Sequence, residues 1–301
     1  MSNVFVGKLK DLQFVRLPDC KEWTPVAKVS RNGRTVGVTL TENWAFWRKW
    51  TDNSWEVGTF RIFDTFLTED HLYVDIGAWI GPTVLYAGQI AKATIAFEPD
   101  PFAFKELQNN ISVNTQNDKI SALRAYEMAI AAVSGKIEIG NRQRSGDSTT
   151  SALFADAAAH WKVEAVTLNS VIADHGIRGR IFLKIDIEGG EYTLIPSLRD
   201  TLIEYDTDLL LSVHPRFLNV SLGSGDCKNR VIAKITRRIR FTWNHARLMM
   251  ALPYRYKYYT NGRPISALKE IARAFFLGKF TRDLFASNRR WDMSMSRRES
   301  E

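Results

Sequence analysis

Four short apolar runs constrain what this chain can fold into. They are "HLYVDIG" (71–77), "ATIAFEP" (93–99), "RIFLKIDI" (180–187) and "DLLLSVH" (208–214). Each is long enough for one buried strand, and each carries a carboxylate, a glycine or a histidine near its end. A strand that is apolar on both sides must be covered on both faces, the condition met by a parallel sheet in an α/β fold. Helical stretches fall between the runs. "GPTVLYAGQIAK" places Pro82 at a first helical position, and "DPFAFKELQNNISVN" offers Asp100 as an N-cap with Pro101 behind it. "SALRAYEMAI" reads as another strand, and "GKIEI" and "WKVEAVTL" as extra strands in an insertion.

Three stretches separate by pattern. Residues 1–70 read as an N-terminal cap, with a β-hairpin turning at Asn32-Gly33 and aromatic helices after it. "WAFWRKW" spaces Trp44, Trp47 and Trp50 three apart, which suits a packed aromatic face or, alternatively, sugar stacking. Phe60, Phe63 and Leu67 form a second helical stripe. Residues 71–215 hold the strand–helix alternation and form the ligand-binding, catalytic domain. Residues 216–301 form a basic, aromatic extension that completes this domain or covers its acceptor site. In it, "VIAKITRRIRFTW" and "ISALKEIARAFF" have helical spacing, and Asn261-Gly262 marks a second hairpin.

Composition narrows the partners. Residues 228–301 carry 18 Lys+Arg against 5 Asp+Glu, whereas the chain as a whole is only +8. Such asymmetry points to an anionic partner or surface, or to a solvated basic face. Lys/Arg-rich helices with Phe275, Phe276 and Phe280 would suit peripheral contact with an anionic membrane or a lipid-linked glycan. Cys20 and Cys227 are far apart and belong to no metal-ligand spacing, so they are expected as free thiols in a reducing compartment. With no basic-then-apolar leader and no run near the roughly 18 residues of a membrane span, the expected location is the cytoplasm, with peripheral contact at the inner membrane face as an addition.

The first apolar run ends in "VDIGAWIG". A dinucleotide fingerprint wants a glycine at the middle position, where a pyrophosphate passes. Here that position is Trp79, which argues against a diphosphate. Glu98 ends the next run, at the spacing where an acid accepts both ribose hydroxyls. A nucleoside without a diphosphate, and with a cationic amino-acid end, describes S-adenosylmethionine. Its candidate contacts are Asp75 for the ammonium, the turn Gly77, Ala78, Trp79 and Gly81, then Glu98, Pro99, Met128 and Ala129.

"YVDIGAWIGPTVLYA", "AFEPDPFAFKELQNNISVN" and "LKIDIEGGEYTLI" together resemble the FkbM-type methyltransferases, a branch of the class I S-adenosylmethionine-dependent enzymes. The resemblance covers about residues 53–218. It implies a Rossmann-like sheet with helices on both faces, flanked here by the cap and the basic extension. It also implies O-methylation of a hydroxyl on a sugar, a glycan or a glycosylated metabolite. Glu56 matches an acid the family often carries before the first motif.

A hydroxyl is a poor nucleophile while protonated, so a general base is expected where the third motif meets the transferring methyl. Asp186 is the first candidate for base or acceptor binding, and also for the cofactor site; Glu188 is the second. Glu191, after the glycine pair, is expected to start a helix, where an acid suits the dipole. His214 is a third candidate base, because an ordinary imidazole titrates near pH 6.5. Mg²⁺ held by Asp186 and Glu188 is chemically open, but no spacing requires it and no metal is expected. Two other functions compete. Ribose 2′-O-methylation of RNA is also hydroxyl chemistry, although carboxylates at the site disfavour nucleic acid. A non-catalytic cofactor-binding protein is the other.

Overall fold

The computed structural model describes residues 13–17, 23–41, 43–141, 159–222 and 230–289. Cys20, Cys227 and residues 290–301 lie outside them. A mainly parallel sheet forms the centre, in the order β13-β12-β14-β11-β10-β4-β5-β6. Its parallel part joins β4 (His71–Ile76), β5 (Ala93–Phe97), β6 (Arg124–Tyr126), β10 (Arg180–Ile185) and β11 (Thr207–Ser212). The antiparallel part comes from the basic extension: β12 (Lys257–Thr260), β13 (Arg263–Ile265) and β14 (Asp283–Ser287), with β14 running against β11 in the register Leu211↔Leu284. The extension therefore contributes strands to the central sheet.

Alternation along the strands explains the double cover. Val74, Ile76, Leu183, Ile185, Leu209 and Leu211 face one core, with the helices Glu191–Ser197, Arg199–Glu204 and Arg230–Ala251 packed on it. Tyr73, Phe182, Leu210 and Phe285 face the other, under the helices Trp44–Thr51, Val57–Phe66 and Pro82–Ala87. Asp100 caps the helix Pro101–Ser112 by accepting from the N–H groups of Phe102 and Ala103.

β1 (Gln13–Arg16), β2 (Trp23–Arg31) and β3 (Arg34–Thr39) form a separate antiparallel sheet. Its hairpin turns at Asn32 and Gly33, with φ of 47° and 76°, the pair of left-handed residues a two-residue turn of this hand requires. The buried Arg31 clamps this hairpin to the aromatic helices: it donates to Trp50 O at 3.1 Å and Trp55 O at 2.9 Å, and lies 3.7 Å above the Phe60 ring. Trp47 and Trp50 are fully buried, so these two rings are packing and are closed to sugar stacking, whereas Trp44 is half-buried. "SALRAYEMAI" divides between two sheets. β6 joins the centre, whereas β7 (Ala129–Ile130) pairs with β9 (Ala159–Val166), which also pairs with β8 (Gly135–Asn141).

Candidate active site

A cavity of about 670 Å³ opens at the carboxyl ends of β4, β5, β10 and β11, where open α/β sheets hold ligands. The loop after β4 sets one wall. Gly77 takes φ +86°, and a Cβ there would lie 1.9 Å from Asp186 O, so only glycine lets this loop meet the end of β10. Asp186 N donates back to Ile76 O at 2.9 Å. Trp79 also sits in the left-handed region, at φ +49°. Its N–H donates to Glu98 Oε2 at 2.7 Å, and its indole packs edge-on against Phe46, 4.6 Å between centroids. Phe46, Trp55 and Trp79 together make an aromatic wall of the cavity. The bulk at the middle position of the turn is thus directed onto the aromatic helices.

Glu98 directly follows β5, accepting from Trp79 N–H and, at 2.8 Å, from Asp100 N–H. Burial pushes its carboxyl up to about 7, against these two hydrogen bonds. Gly77, Ala78, Trp79, Glu98, Pro99, Met128 and Ala129 all line the cavity, as does Glu56. Glu56 precedes the helix Val57–Phe66 with φ +44°. Burial, then the charge of Asp186, raises its carboxyl to about 7. Its buried Oε2 has no hydrogen-bond partner among the described residues.

Two candidate cofactor contacts are not on the wall. Asp75 is fully buried beneath it, with its oxygens filled by the Tyr73 hydroxyl (2.7 Å), the Thr83 hydroxyl (2.6 Å) and the Lys184 ammonium (3.2 Å). A carboxylate with three internal donors has no need of a ligand's ammonium, and Asp75 instead neutralises Lys184. Gly81 supports the turn from behind: its φ is +95°, and a Cβ would press on Leu107 at 2.7 Å.

The acidic third motif folds into a tight turn. β10 stops at Ile185, and Glu188 and Gly189 take φ of +51° and +105° before the helix Glu191–Ser197 begins. Glu191 is fully buried and accepts from Ile187 N–H at 3.1 Å and Gly189 N–H at 2.9 Å, which closes the turn over the helix start. Its Oε1 also lies 2.9 Å from His214 Nδ1, at the end of β11. On the other side of the ring, His214 Nε2 faces Asp186 Oδ1 at 3.5 Å and Glu188 Oε2 at 3.3 Å. Lys184 Nζ stands 3.7 Å from Asp186 Oδ2. Asp186 is the most open of these carboxylates, with 20% of its side chain exposed against 14% for Glu188.

Electrostatics assigns different states to these neighbours. Burial disfavours the His214 imidazolium, but the hydrogen bond it donates to Glu191 and the charges of Asp186, Glu191 and Glu188 outweigh it and raise its pKa to about 9. An imidazolium has no lone pair to take a proton, so the base role read from an ordinary histidine does not hold at neutral pH. Burial, then the nearby Asp186 and Glu191 charges, pushes Glu188 up to about 8 despite His214. Lys184 stays charged: burial works against it, but Asp75, Asp186 and Glu56 raise its pKa above the ordinary value. Asp186, Glu191 and His214 hold ligand-type atoms within 4.8 Å of one another. Glu191 is already committed to two backbone N–H groups and to His214 Nδ1.

Arg282 and Asp283 reach the cavity from the start of β14. Neither was a sequence candidate, because only the Leu211↔Leu284 pairing brings them there. Lys184 had one legible signal, a cation in the middle of a run of apolar residues.

A doubly wound sheet with an acid after its second strand and a cavity at the switch point defines a Rossmann-like fold. Residues 75–237, more than half of the chain, match the Methyltransferase FkbM domain, and the chain belongs to that family. Among solved structures it is similar to the methyltransferase FkbM from Methylobacillus flagellatus KT, at 14% identity over 73% of this chain and 44% of that one, with a TM-score of 0.43. This chain therefore spans less than half the length of that protein. It is also similar to an rRNA methylase from Streptococcus thermophilus (9% identity, 76% and 92% covered, TM-score 0.32). A third is precorrin-6y C5,15-methyltransferase from Geobacter metallireducens GS-15 (11% identity, 77% and 84% covered, TM-score 0.33). No curated protein matches the chain.

Proposed function

We propose that this protein is an S-adenosylmethionine-dependent O-methyltransferase whose acceptor is a hydroxyl of a sugar, glycan or glycosylated metabolite. The observation that carries the reading is Asp186. It is the most solvent-open carboxylate of its cluster, placed in the cavity between two cations, Lys184 and His214. The cavity suits the cofactor. Glu98 keeps further acceptor capacity for ribose hydroxyls, and the unsatisfied Glu56 oxygen suits a cationic group. Pro99, Met128 and Ala129 would lie against the adenine.

When bound, S-adenosylmethionine supplies an electrophilic methyl on a sulfonium. Asp186 accepts the proton of the acceptor hydroxyl. Lys184 and His214 hold that carboxylate in place from two sides. Glu188, neutral over much of the physiological range, can donate a hydrogen bond to an acceptor oxygen. Asp283 and Arg282, on the facing strand, offer polar contacts to a hydroxylated acceptor. Positioning supplies much of the rate in such a displacement.

The test is a methyl-transfer assay with labelled S-adenosylmethionine against a panel of nucleotide sugars, free glycosides and structured RNA. Transfer to a sugar hydroxyl, lost in Asp186→Asn, is the expected outcome. Transfer to RNA alone would replace the acceptor assignment, and calorimetry showing no cofactor binding would remove the enzyme reading.

A further inference from the structure

The helix Arg230–Ala251 carries six Lys or Arg residues and no acid. Its buried side, with Phe241, His245, Leu248 and Met249, packs on the core. Tyr192, in the helix that begins at Glu191, fixes it by a 2.9 Å hydrogen bond to His245 Nε2. The outer side carries Ile235, Ile239 and Trp243, four residues apart and so on one stripe, each more than half exposed. Arg240 and Arg247, one turn before and after Trp243, flank this stripe and are exposed. A second set of exposed apolar residues adjoins it. Arg238 reaches Ala274 O at 3.4 Å in the helix Ala267–Leu277, whose Leu268, Phe276 and Leu277 are 79%, 76% and 60% exposed. The helix's acid, Glu270, is buried and accepts from Thr281 and Arg273. Residues 230–289 contain 14 Lys or Arg and two acids, Glu270 and Asp283.

We infer that these two helices form a docking face for an anionic lipid bilayer. Exposed isoleucine, leucine and phenylalanine gain by entering the acyl boundary, while the flanking cations meet the headgroups. Nucleic acid would use the cations but would leave the aliphatic stripes in water. A second copy of the chain would cover the stripes, but would bring two surfaces of the same charge together. Each basic residue near an anionic surface strengthens binding on the order of five-fold, which makes the charge arrangement decisive. The face is coupled to the catalytic region through covalent structure. The chain leaves Phe276 and reaches Arg282 in the cavity at the start of β14. Docking would therefore hold the cavity close to the membrane surface, suited to an acceptor carried on a lipid.

The test is flotation of the full chain with vesicles of phosphatidylcholine, with and without phosphatidylglycerol. The expected result is co-flotation only with the anionic vesicles, weakened by salt. Ile235→Glu with Ile239→Glu should weaken it about tenfold or more. Phe14→Glu, a change at an exposed aromatic on β1, should leave it unaltered. Bound S-adenosylhomocysteine, read by calorimetry, reports that the variant is folded. No flotation with anionic vesicles would overturn the inference, as would an Ile235→Glu/Ile239→Glu variant that floats like the parent. So would RNA that binds this face and displaces the vesicles, or a dimer in sedimentation that the same double variant dissociates.

Discussion

His214 Nδ1 lies 2.9 Å from Glu191 Oε1, tying the end of β11 to the first turn of the helix that follows β10. The contact fixes the ring so that Nε2 faces Asp186 and Glu188. The hydrogen bond to Glu191 and the charge of Asp186 outweigh the burial that disfavours the imidazolium.

Asp186→Asn keeps the shape of the site and removes the proposed proton acceptor. Methyl transfer should fall by ~10²-fold or more, the usual size of a general-base contribution. S-adenosylhomocysteine affinity by calorimetry should change little. A variant with undiminished kcat would remove Asp186 from the base role.

Glu188 and His214 make stability depend on pH in the same direction. Glu188 is raised from 4.5 to about 8, so between these values the folded state holds a proton the unfolded chain has lost. His214, raised from 6.5 to about 9, does the same over its own window. More protons bound to the native state means that stability falls as pH rises. The His214 contribution is complete below 6.5 and is lost through about 9. Tm should fall between pH 5 and 9, by an amount reflecting a few kcal/mol in all. Glu188→Gln should flatten the lower part of that slope. Equal slopes for both proteins would contradict the assignment.

Glu98→Ala would leave the buried N–H groups of Trp79 and Asp100 without their acceptor. The cost should be about 1–3 kcal/mol of stability, with cofactor binding lost. Glu98→Gln keeps one acceptor oxygen and should do less in both chemical denaturation and calorimetry.

Gly77→Ala combines a left-handed φ of +86° with a Cβ placed 1.9 Å from Asp186 O. One loop or the other must move. We expect destabilisation above ~3 kcal/mol, or a folded protein with a displaced Asp186 and no transfer. Near-parental Tm and activity together would be inconsistent with this packing.

Glu56→Gln should raise the KM for S-adenosylmethionine about tenfold, if the orphaned Oε2 meets the cofactor's cationic end. Its kcat at saturation should stay within a few-fold of the parent. A loss confined to kcat would place Glu56 elsewhere in the reaction.

The sequence was most informative where chemistry and local geometry coincide. Asn32-Gly33 and Asn261-Gly262 turn hairpins because both residues of each pair must take positive φ. Asp100 caps its helix, and the ends of β4, β5, β10 and β11 fall at the acids, glycines and histidine that marked them. Long-range placement was not legible. Asp75 looks like Glu98 in sequence, both being acids at strand ends, but Lys184 on the neighbouring strand and two hydroxyls consume its oxygens. His214 looked like a base until three carboxylates, two of them from the turn after β10, were packed around it. "WAFWRKW" gave the helix but not its burial, which depends on Arg31 and the hairpin.

The insertion of β14 beside β11 also has a meaning in time. When a ribosome has delivered the chain only as far as His214, Asp186, Glu188 and Glu191 have already been made. Arg282 and Asp283 have not, and β11 has an unpaired edge until Leu284 docks opposite Leu211. From residue 191 to residue 282 the nascent protein therefore carries its carboxylates beside an unfinished wall, and β14, the last strand among the described residues, completes the cavity.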